Sequence, residues 1–143
     1  QIPLMLNIVQ LSPEHVQNIE TDFDFSFYHR ELLCKECING YAATLGDTVV
    51  AIGGVSILWE GVGEGWFIIG NIGKLFPTRL ARLVKNMITK LIEENKLFRL
   101  QASVCKNDKK AVRFIRWLKF EEEGIMKKFG PDGVDYFRYA WVK

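Results

Sequence analysis

The sequence predicts a single α+β domain over residues 1–143, and three observations carry that reading. Apolar stretches rich in β-branched residues crowd together between Tyr41 and Ile69, separated only by Gly-containing turns. Two stretches with helical periodicity follow and enclose a further strand-like stretch. The chain then closes on two strands about Gly130-Pro131-Asp132-Gly133, a hairpin signal. The element order is β-α-α-β-β-β-α-β-α-β-β.

Ile2 to Val9 is apolar and opens the chain as a strand. Ser12-Pro13-Glu14 is a helix start, with Ser as N-cap, Pro at the first helical position and Glu in the first turn, and the helix runs from Pro13 to Ile19. Thr21 to Ser26 is an acidic, aromatic bend. Phe27 to Ile38 is helical and stops at Asn39-Gly40.

Tyr41 to Leu45 is a strand, Gly46-Asp47 a turn, and Thr48 to Trp59 a longer strand in which Gly53-Gly54 marks a bulge or a close backbone approach. Gly61, Gly63 and Gly65 form a flexible turn, and Gly65 to Ile69 completes an antiparallel meander. Pro77 to Asn95 is a helix with Leu80, Leu83, Val84, Met87, Ile88 and Leu91 inward. Leu97 to Val104 is a strand. Asp108 to Leu118 is an amphipathic helix with Ala111, Ile115 and Leu118 inward, and Phe120 to Phe129 and Val134 to Val142 are the closing strands.

Composition narrows the function classes. A chain of 143 residues that is 48% hydrophobic and 25% charged builds a core and is not a disordered tail. Uncharged runs such as Thr48 to Trp59 are far short of the roughly 18 apolar residues of a membrane span. No basic-then-apolar leader is visible, although a start at Gln1 leaves processing open. Three cysteines cannot all pair, so a reducing, cytoplasmic compartment is the expectation. Charge is uneven. Residues 1–66 carry 2 basic and 9 acidic side chains, and residues 67–143 carry 17 and 8. A basic half suits a phosphate-bearing partner, whether polynucleotide, anionic membrane or phosphorylated cofactor, or is simply a solvated surface.

The stretch "LFRLQASVCKNDKKAVRFIRWLKFEEEG" carries a family resemblance. Its strand ending near an Asn, its small residue at Ala111 and its Phe120-Glu121 after the helix, together with the element order, resemble the GNAT (Gcn5-related N-acetyltransferase) superfamily over nearly the whole chain. A narrower likeness, resting on "VVAIGG", "GWFII" and "RFIRWLKF", is to GNAT-like internal virion proteins of short-tailed phages, which places the chain in host cytoplasm or virion.

The GNAT resemblance implies a mixed, mostly antiparallel central sheet flanked by helices. It implies acetyl-CoA as acetyl donor and a small-molecule or protein amine as acceptor, by direct attack. Two central strands would splay, so that backbone of Phe67, Ile68 and Ile69 pairs with pantetheine as an added strand would. The pyrophosphate would rest on the loop Ile72 to Thr78, with Lys74 and Arg79 facing it and Arg82 adding charge. Asn107 or Asp108 would fill the family's Asn position. Glu64 is the candidate base, with Glu60 one turn earlier. The other reading of both carboxylates is a solvated loop.

Two features depart from the family pattern. Pro77 and Arg79 stand where its phosphate loop has small residues, and proline has no N–H to offer. Two lost hydrogen bonds to a charged group, at about 1.5–3 kcal/mol each, cost about two to four orders of magnitude in affinity. Ile115 occupies the place of the family's Tyr, the acid for the departing thiolate. These departures favour a second possibility, a non-catalytic GNAT-like component, such as one that binds other virion proteins.

Other constellations are weaker. Cys34 and Cys37 form a C-x-x-C pair with His29 nearby, but no fourth zinc ligand is close in sequence, and the pair lies mid-helix or near its end. Cys105 reads as a small buried hydrophobe. Lys106, Lys109, Lys110, Arg113, Arg116 and Lys119 interleave with Phe114 and Trp117 as a nucleic-acid surface would, but helical spacing assigns both rings to the core. Phe23, Phe25, Phe27 and Tyr28 either fill the core or, with Asp22 and Asp24, rim a site for a cationic amine.

Overall fold

The computed structural model describes residues 5–23 and 39–143. The helix expected over Phe27 to Ile38, the Cys34/Cys37/His29 group and the residues Asp24, Phe25, Phe27 and Tyr28 lie outside that range. The described strands are β1 (Leu6–Gln10), β2 (Gly40–Leu45), β3 (Thr48–Trp59), β4 (Val62–Ile69), β5 (Arg99–Cys105), β6 (Glu121–Met126) and β7 (Tyr136–Val142). The described α-helices are α1 (Pro13–Asn18), α2 (Pro77–Glu94) and α3 (Lys109–Trp117). The strands form one seven-stranded sheet in the order β1-β2-β3-β4-β5-β7-β6. The β4–β5 pair is parallel, while β1–β2, β2–β3, β5–β7 and β6–β7 are antiparallel. The mixed, mostly antiparallel sheet expected from the resemblance is therefore present.

The chain packs as two compact units, Gln1–Val55 with Phe67–Met87, and Ser56–Trp66 with Ile88–Lys143. In the first, Ala43, Val50, Ala51 and Leu80 form a buried cluster, and Leu6, Ile8, Leu45, Phe67, Ile69 and Leu83 pack against it. The apolar stripe of α2 supplies Leu80 and Leu83, as its periodicity requires. The register passes from Ala43↔Ala51 to Thr44↔Val49, so the bulge falls at Val50. Gly53-Gly54 marks the other alternative, a close approach. A Cβ on Gly54 would sit 2.6 Å from the Asn39 carbonyl oxygen. Ser12 precedes α1 as expected, its N–H donating to His15 Nδ1 at 3.0 Å.

In the second unit, β5 pairs with β7 along its whole length, from Arg99↔Val142 to Cys105↔Tyr136. Alternation puts Leu100 and Val104 into the core, with Tyr139 opposite Ala102 and only 1% exposed. The Tyr139 hydroxyl accepts from Arg116 Nε at 3.0 Å. Asp108 caps α3, its carboxylate accepting from the Ala111 N–H at 3.0 Å.

Several boundaries differ from expectation. Gly63 and Gly65 lie inside β4 rather than in a turn, because Glu60-Gly61 alone makes the connection. Gly61 takes φ +84°, and a Cβ there would overlap the Phe98 ring. β6 ends at Met126, before a turn in which Lys128 adopts φ +56° and donates its N–H to Asp135. Trp117, assigned to the core by spacing, is 45% exposed and stacks on Phe114 with centroids 6.0 Å apart. A helix of nine residues offers one narrow inward stripe, which Ile115 occupies. Cys105 is half-buried rather than buried.

Candidate functional site

β4 and β5 run together for only three pairs, Val62↔Arg99, Gly63↔Leu100 and Glu64↔Gln101. Both strands continue past the last pair, β4 to Ile69 and β5 to Cys105. Parallel partners share a face of the sheet, and the side chains at this last pair meet there. Gln101 Nε2 donates to Glu64 Oε1 at 3.0 Å, and Arg138 Nη1 donates to the same oxygen at 2.9 Å. Glu64 and Arg138 are each about one-fifth exposed, so neither is a freely solvated loop charge. The second carboxylate oxygen, Oε2, carries no hydrogen bond among the described residues.

A second ion pair braces the first. Arg99, two residues before Gln101 on β5, donates from Nε to Gln101 Oε1 at 3.1 Å. Its two terminal nitrogens form a fork on Glu123 at 2.9 and 2.6 Å. Glu123 reaches this position because it is the extra residue of a bulge, where the β6–β7 register skips from Glu122↔Tyr139 to Gly124↔Arg138. The hydrogen bonds to Glu123 hold the Arg99 guanidinium above its ordinary range, and those to Arg99 hold the Glu123 carboxyl below its own. A continuous polar chain, Glu123–Arg99–Gln101–Glu64–Arg138, thus crosses one face of the sheet.

Two residues past the last β4–β5 pair, where the strands no longer pair, stand Trp66 on β4 and Ser103 on β5. Trp66 is 7% exposed. Its Nε1, and the Oγ of Ser103, are buried without a hydrogen-bond partner among the described residues. Two-residue alternation places Trp66 on the face of Glu64, and Ser103 on the face of Gln101. Ser103 also lies opposite Arg138 in the β5–β7 register. Buried polar groups are nearly always paired, and these two atoms are exceptions among the described residues.

The other expected contacts lie along β4 and the loop after it. Phe67 and Ile69 pack into the first unit's cluster, and Ile68 is 1% exposed. The Ile69 carbonyl is already engaged by the Thr21 hydroxyl at 2.6 Å. The loop from Ile72 is tight, with Leu75 donating to Ile72 and Phe76 to Gly73. A Cβ on Gly73 would overlap the Val50 carbonyl oxygen, so this glycine serves packing. At the start of α2, Leu80 donates to Phe76, while Thr78 and Arg79 keep N–H groups with no backbone acceptor among the described residues.

Lys74 is tied to Asp22 at 2.9 Å on the surface. Arg79 lies over the Phe76 ring at 5.8 Å. With Arg82, it lines a cavity of about 230 Å³ shared with Met5, Leu6 and Leu83. Asn107 is exposed in the turn before α3, and the neighbouring Asp108 is occupied as the cap. Ile115, where the resemblance places an acid, is 8% exposed and has no proton to give. Glu60 sits exposed at the β3–β4 turn.

The structure therefore gives Glu64 partners in Gln101 and Arg138, with Arg99 and Glu123 one contact further along the chain of bonds, and the sequence reading singled out none of the four. One signal was present. Arg99, Gln101, Ser103 and Cys105 alternate along β5, a polar stripe on a strand whose other face is apolar. That stripe identifies a polar face but not the strands that meet it.

No protein-family model matches the chain, and no curated protein matches it by sequence. Solved structures do match. An acetyltransferase of the GNAT family from Bacillus anthracis superposes with TM-score 0.73 at 17% identity, covering 99% of this chain and 97% of that one. The ribosomal-protein-S18-alanine N-acetyltransferase of Escherichia coli gives 0.77 at 14% identity, over 96% and 94%. A point variant of the spermidine N-acetyltransferase SpeG of Vibrio cholerae gives 0.72 at 15% identity, over 96% and 93%. The chain has the GNAT fold.

Proposed function

We propose that this GNAT-fold chain is an N-acetyltransferase that moves acetyl from acetyl-CoA to an amine by direct attack. The observation that carries the reading is Glu64, fixed by Gln101 and Arg138 at the last rung before β4 and β5 stop pairing. A carboxylate held there with one free oxygen orients an amine and accepts its proton as the new C–N bond forms. The structural neighbours named for spermidine and for a ribosomal-protein alanine have an amine acceptor in common, which supports this class.

Acetyl-CoA fits the chain in part. The main chain of Phe67 to Ile69 would hold pantetheine, with the Ile69 carbonyl excepted because Thr21 occupies it. The free N–H groups of Thr78 and Arg79, and the charges of Arg79 and Lys74, would face the phosphates, Lys74 in competition with Asp22. Bound acetyl-CoA supplies an activated acetyl group on a thiol leaving group.

Calorimetry with acetyl-CoA, followed by thiol release in the presence of a panel of primary amines, tests the reading. Binding at micromolar to submillimolar concentration with amine-dependent thiol release is expected. Absence of heat at about 1 mM cofactor would remove it.

A second reading has specific support. Pro77 removes one N–H from the phosphate loop, and Ile115 supplies no acid. A non-catalytic GNAT-fold component, such as a virion protein, would show these losses. It predicts stable association with another protein and no amine acetylation.

A further inference from the structure

The cations of α3 take no part in the site around Glu64 or in the contacts proposed for acetyl-CoA. A helix turns about 100° per residue, so Lys109, Lys110, Arg113, Arg116 and Trp117 fall within an arc of about 120°. All five are exposed, and Ile115, nearly opposite, is buried. Arg116 is partly engaged. Its Nε donates to the Tyr139 hydroxyl at 3.0 Å, and its Nη2 lies 3.9 Å from Glu122 Oε1. Lys109, Lys110 and Arg113 have no ion pair and no side-chain hydrogen bond among the described residues.

This arrangement works against the helix. Beyond the cap Asp108 its first turn holds no acid, and Lys109 and Lys110 stand where the helix dipole disfavours cations. Lys109 and Arg113 are like charges four residues apart, a spacing at which they repel. A polyanion lying on this face relieves both effects. Trp117 says which polyanion. It is 45% exposed at the edge of the cations, its ring stacked on Phe114 at an interplanar angle of 16°. Single strands are gripped by cations on the backbone and an aromatic ring under a base. In a duplex the neighbouring pairs cover the faces of the bases, so the ring selects unpaired strands. An anionic membrane is bound through an apolar helix face turned outward. α3 turns its apolar side, at Ile115, into the core.

We infer that this face of α3 docks single-stranded nucleic acid, its phosphates on Lys109, Lys110 and Arg113 and a base on Trp117. The inference is independent of the acetyltransferase reading.

The test titrates the full chain into fluorescein-labelled oligouridylate of about 12 nucleotides, a length within known single-strand site sizes. Anisotropy is read between about 50 and 200 mM salt. Three phosphate contacts give a slope of log K on log salt of about −2. Lys109→Ala combined with Arg113→Ala should bring the slope to about −0.7 and weaken binding at the lowest salt about tenfold or more. Trp117→Leu should weaken binding about tenfold and leave the slope unchanged. Annealed to its complement, the strand should no longer respond to Trp117→Leu. The substituted residues are exposed, and thermal melts verify that the variants fold. No anisotropy change with about 100 µM chain at the lowest salt overturns the inference, as does binding indifferent to these substitutions. Displacement of the strand by acetyl-CoA would assign the cations to the cofactor, and tighter binding to phosphatidylserine vesicles would assign them to a membrane. Either result also overturns it.

Discussion

Arg138 Nη1 donates to Glu64 Oε1 at 2.9 Å, joining residues 74 positions apart on two strands that are not neighbours in the sheet. β5 lies between β4 and β7, and its Gln101 bonds the same carboxylate oxygen. A carboxylate fixed from two strands is a positioned group, and its free oxygen has a defined direction. The following outcomes are expected.

Glu64→Gln keeps the size and the bond to Gln101 but loses the proton acceptor. Amine acetylation should fall about 10²–10⁴-fold in kcat/KM while acetyl-CoA affinity is kept. An unchanged kcat/KM in steady-state assays would move the base elsewhere. Arg138→Met breaks the bond from the other side and leaves Glu64 without its charge partner. A loss of about 1.5–3 kcal/mol in urea unfolding is expected, with the partial exposure of both groups favouring the lower end.

The Arg99–Glu123 fork makes stability depend on pH. Glu123 has its pKa depressed in the folded chain by the Arg99 hydrogen bonds. Its contribution is therefore present above the unfolded value, about 4.3, and is lost as pH falls through the lower folded value. Arg99, whose pKa is raised, stays protonated throughout this window. Wild type should exceed Glu123→Gln in urea midpoint at pH 7, and the two should converge on acidification. A gap that persists unchanged in strong acid would assign the stabilisation to something other than this ion pair.

Gly73 packs its Cα hydrogens against the Val50 carbonyl, where a methyl group does not fit. Gly73→Ala should destabilise the chain by about 1–3 kcal/mol, since backbone rather than a mobile side chain must yield. It should also weaken acetyl-CoA binding, because the loop before α2 would shift. Thermal melts and calorimetry read the two effects separately.

Arg79→Ala combined with Lys74→Ala should raise the Kd for acetyl-CoA by about tenfold or more and flatten its salt dependence. The Lys74 share should be the smaller, since that ammonium already has Asp22. Equal affinity in wild type and double variant would show that neither side chain faces the phosphates.

Much of the fold was legible in the chain because its signals are local. Ser12-Pro13 starts α1, Gly46-Asp47 closes the β2–β3 hairpin, the stripe through Leu80 and Leu91 makes α2, and Asp108 caps α3. Each depends on neighbours within a few residues, so composition and spacing specify it. The exceptions were places where a local pattern had two solutions. Gly61, Gly63 and Gly65 allow a long or a short turn, and the ring of Phe98 against Gly61 belongs to the short one. Bulges at Val50 and Glu123 are set by pairing register, which no single strand encodes.

By itself, then, the sequence determined the order of the described strands and helices, the sheet class and Glu64 as a carboxylate at the start of a central strand. Tertiary structure alone decided what that carboxylate touches. Gln101 and Arg138, which it touches, and Arg99 and Glu123, which extend the network, come from three other strands, and they meet because parallel pairing of β4 with β5 places β7 one strand further on. It also decided that Trp66 Nε1 and Ser103 Oγ would be buried with no hydrogen-bond partner among the described residues. The physical reason is that a hydrogen bond needs both partners within about 3 Å, and residues far apart in sequence reach that distance only when the sheet brings them there.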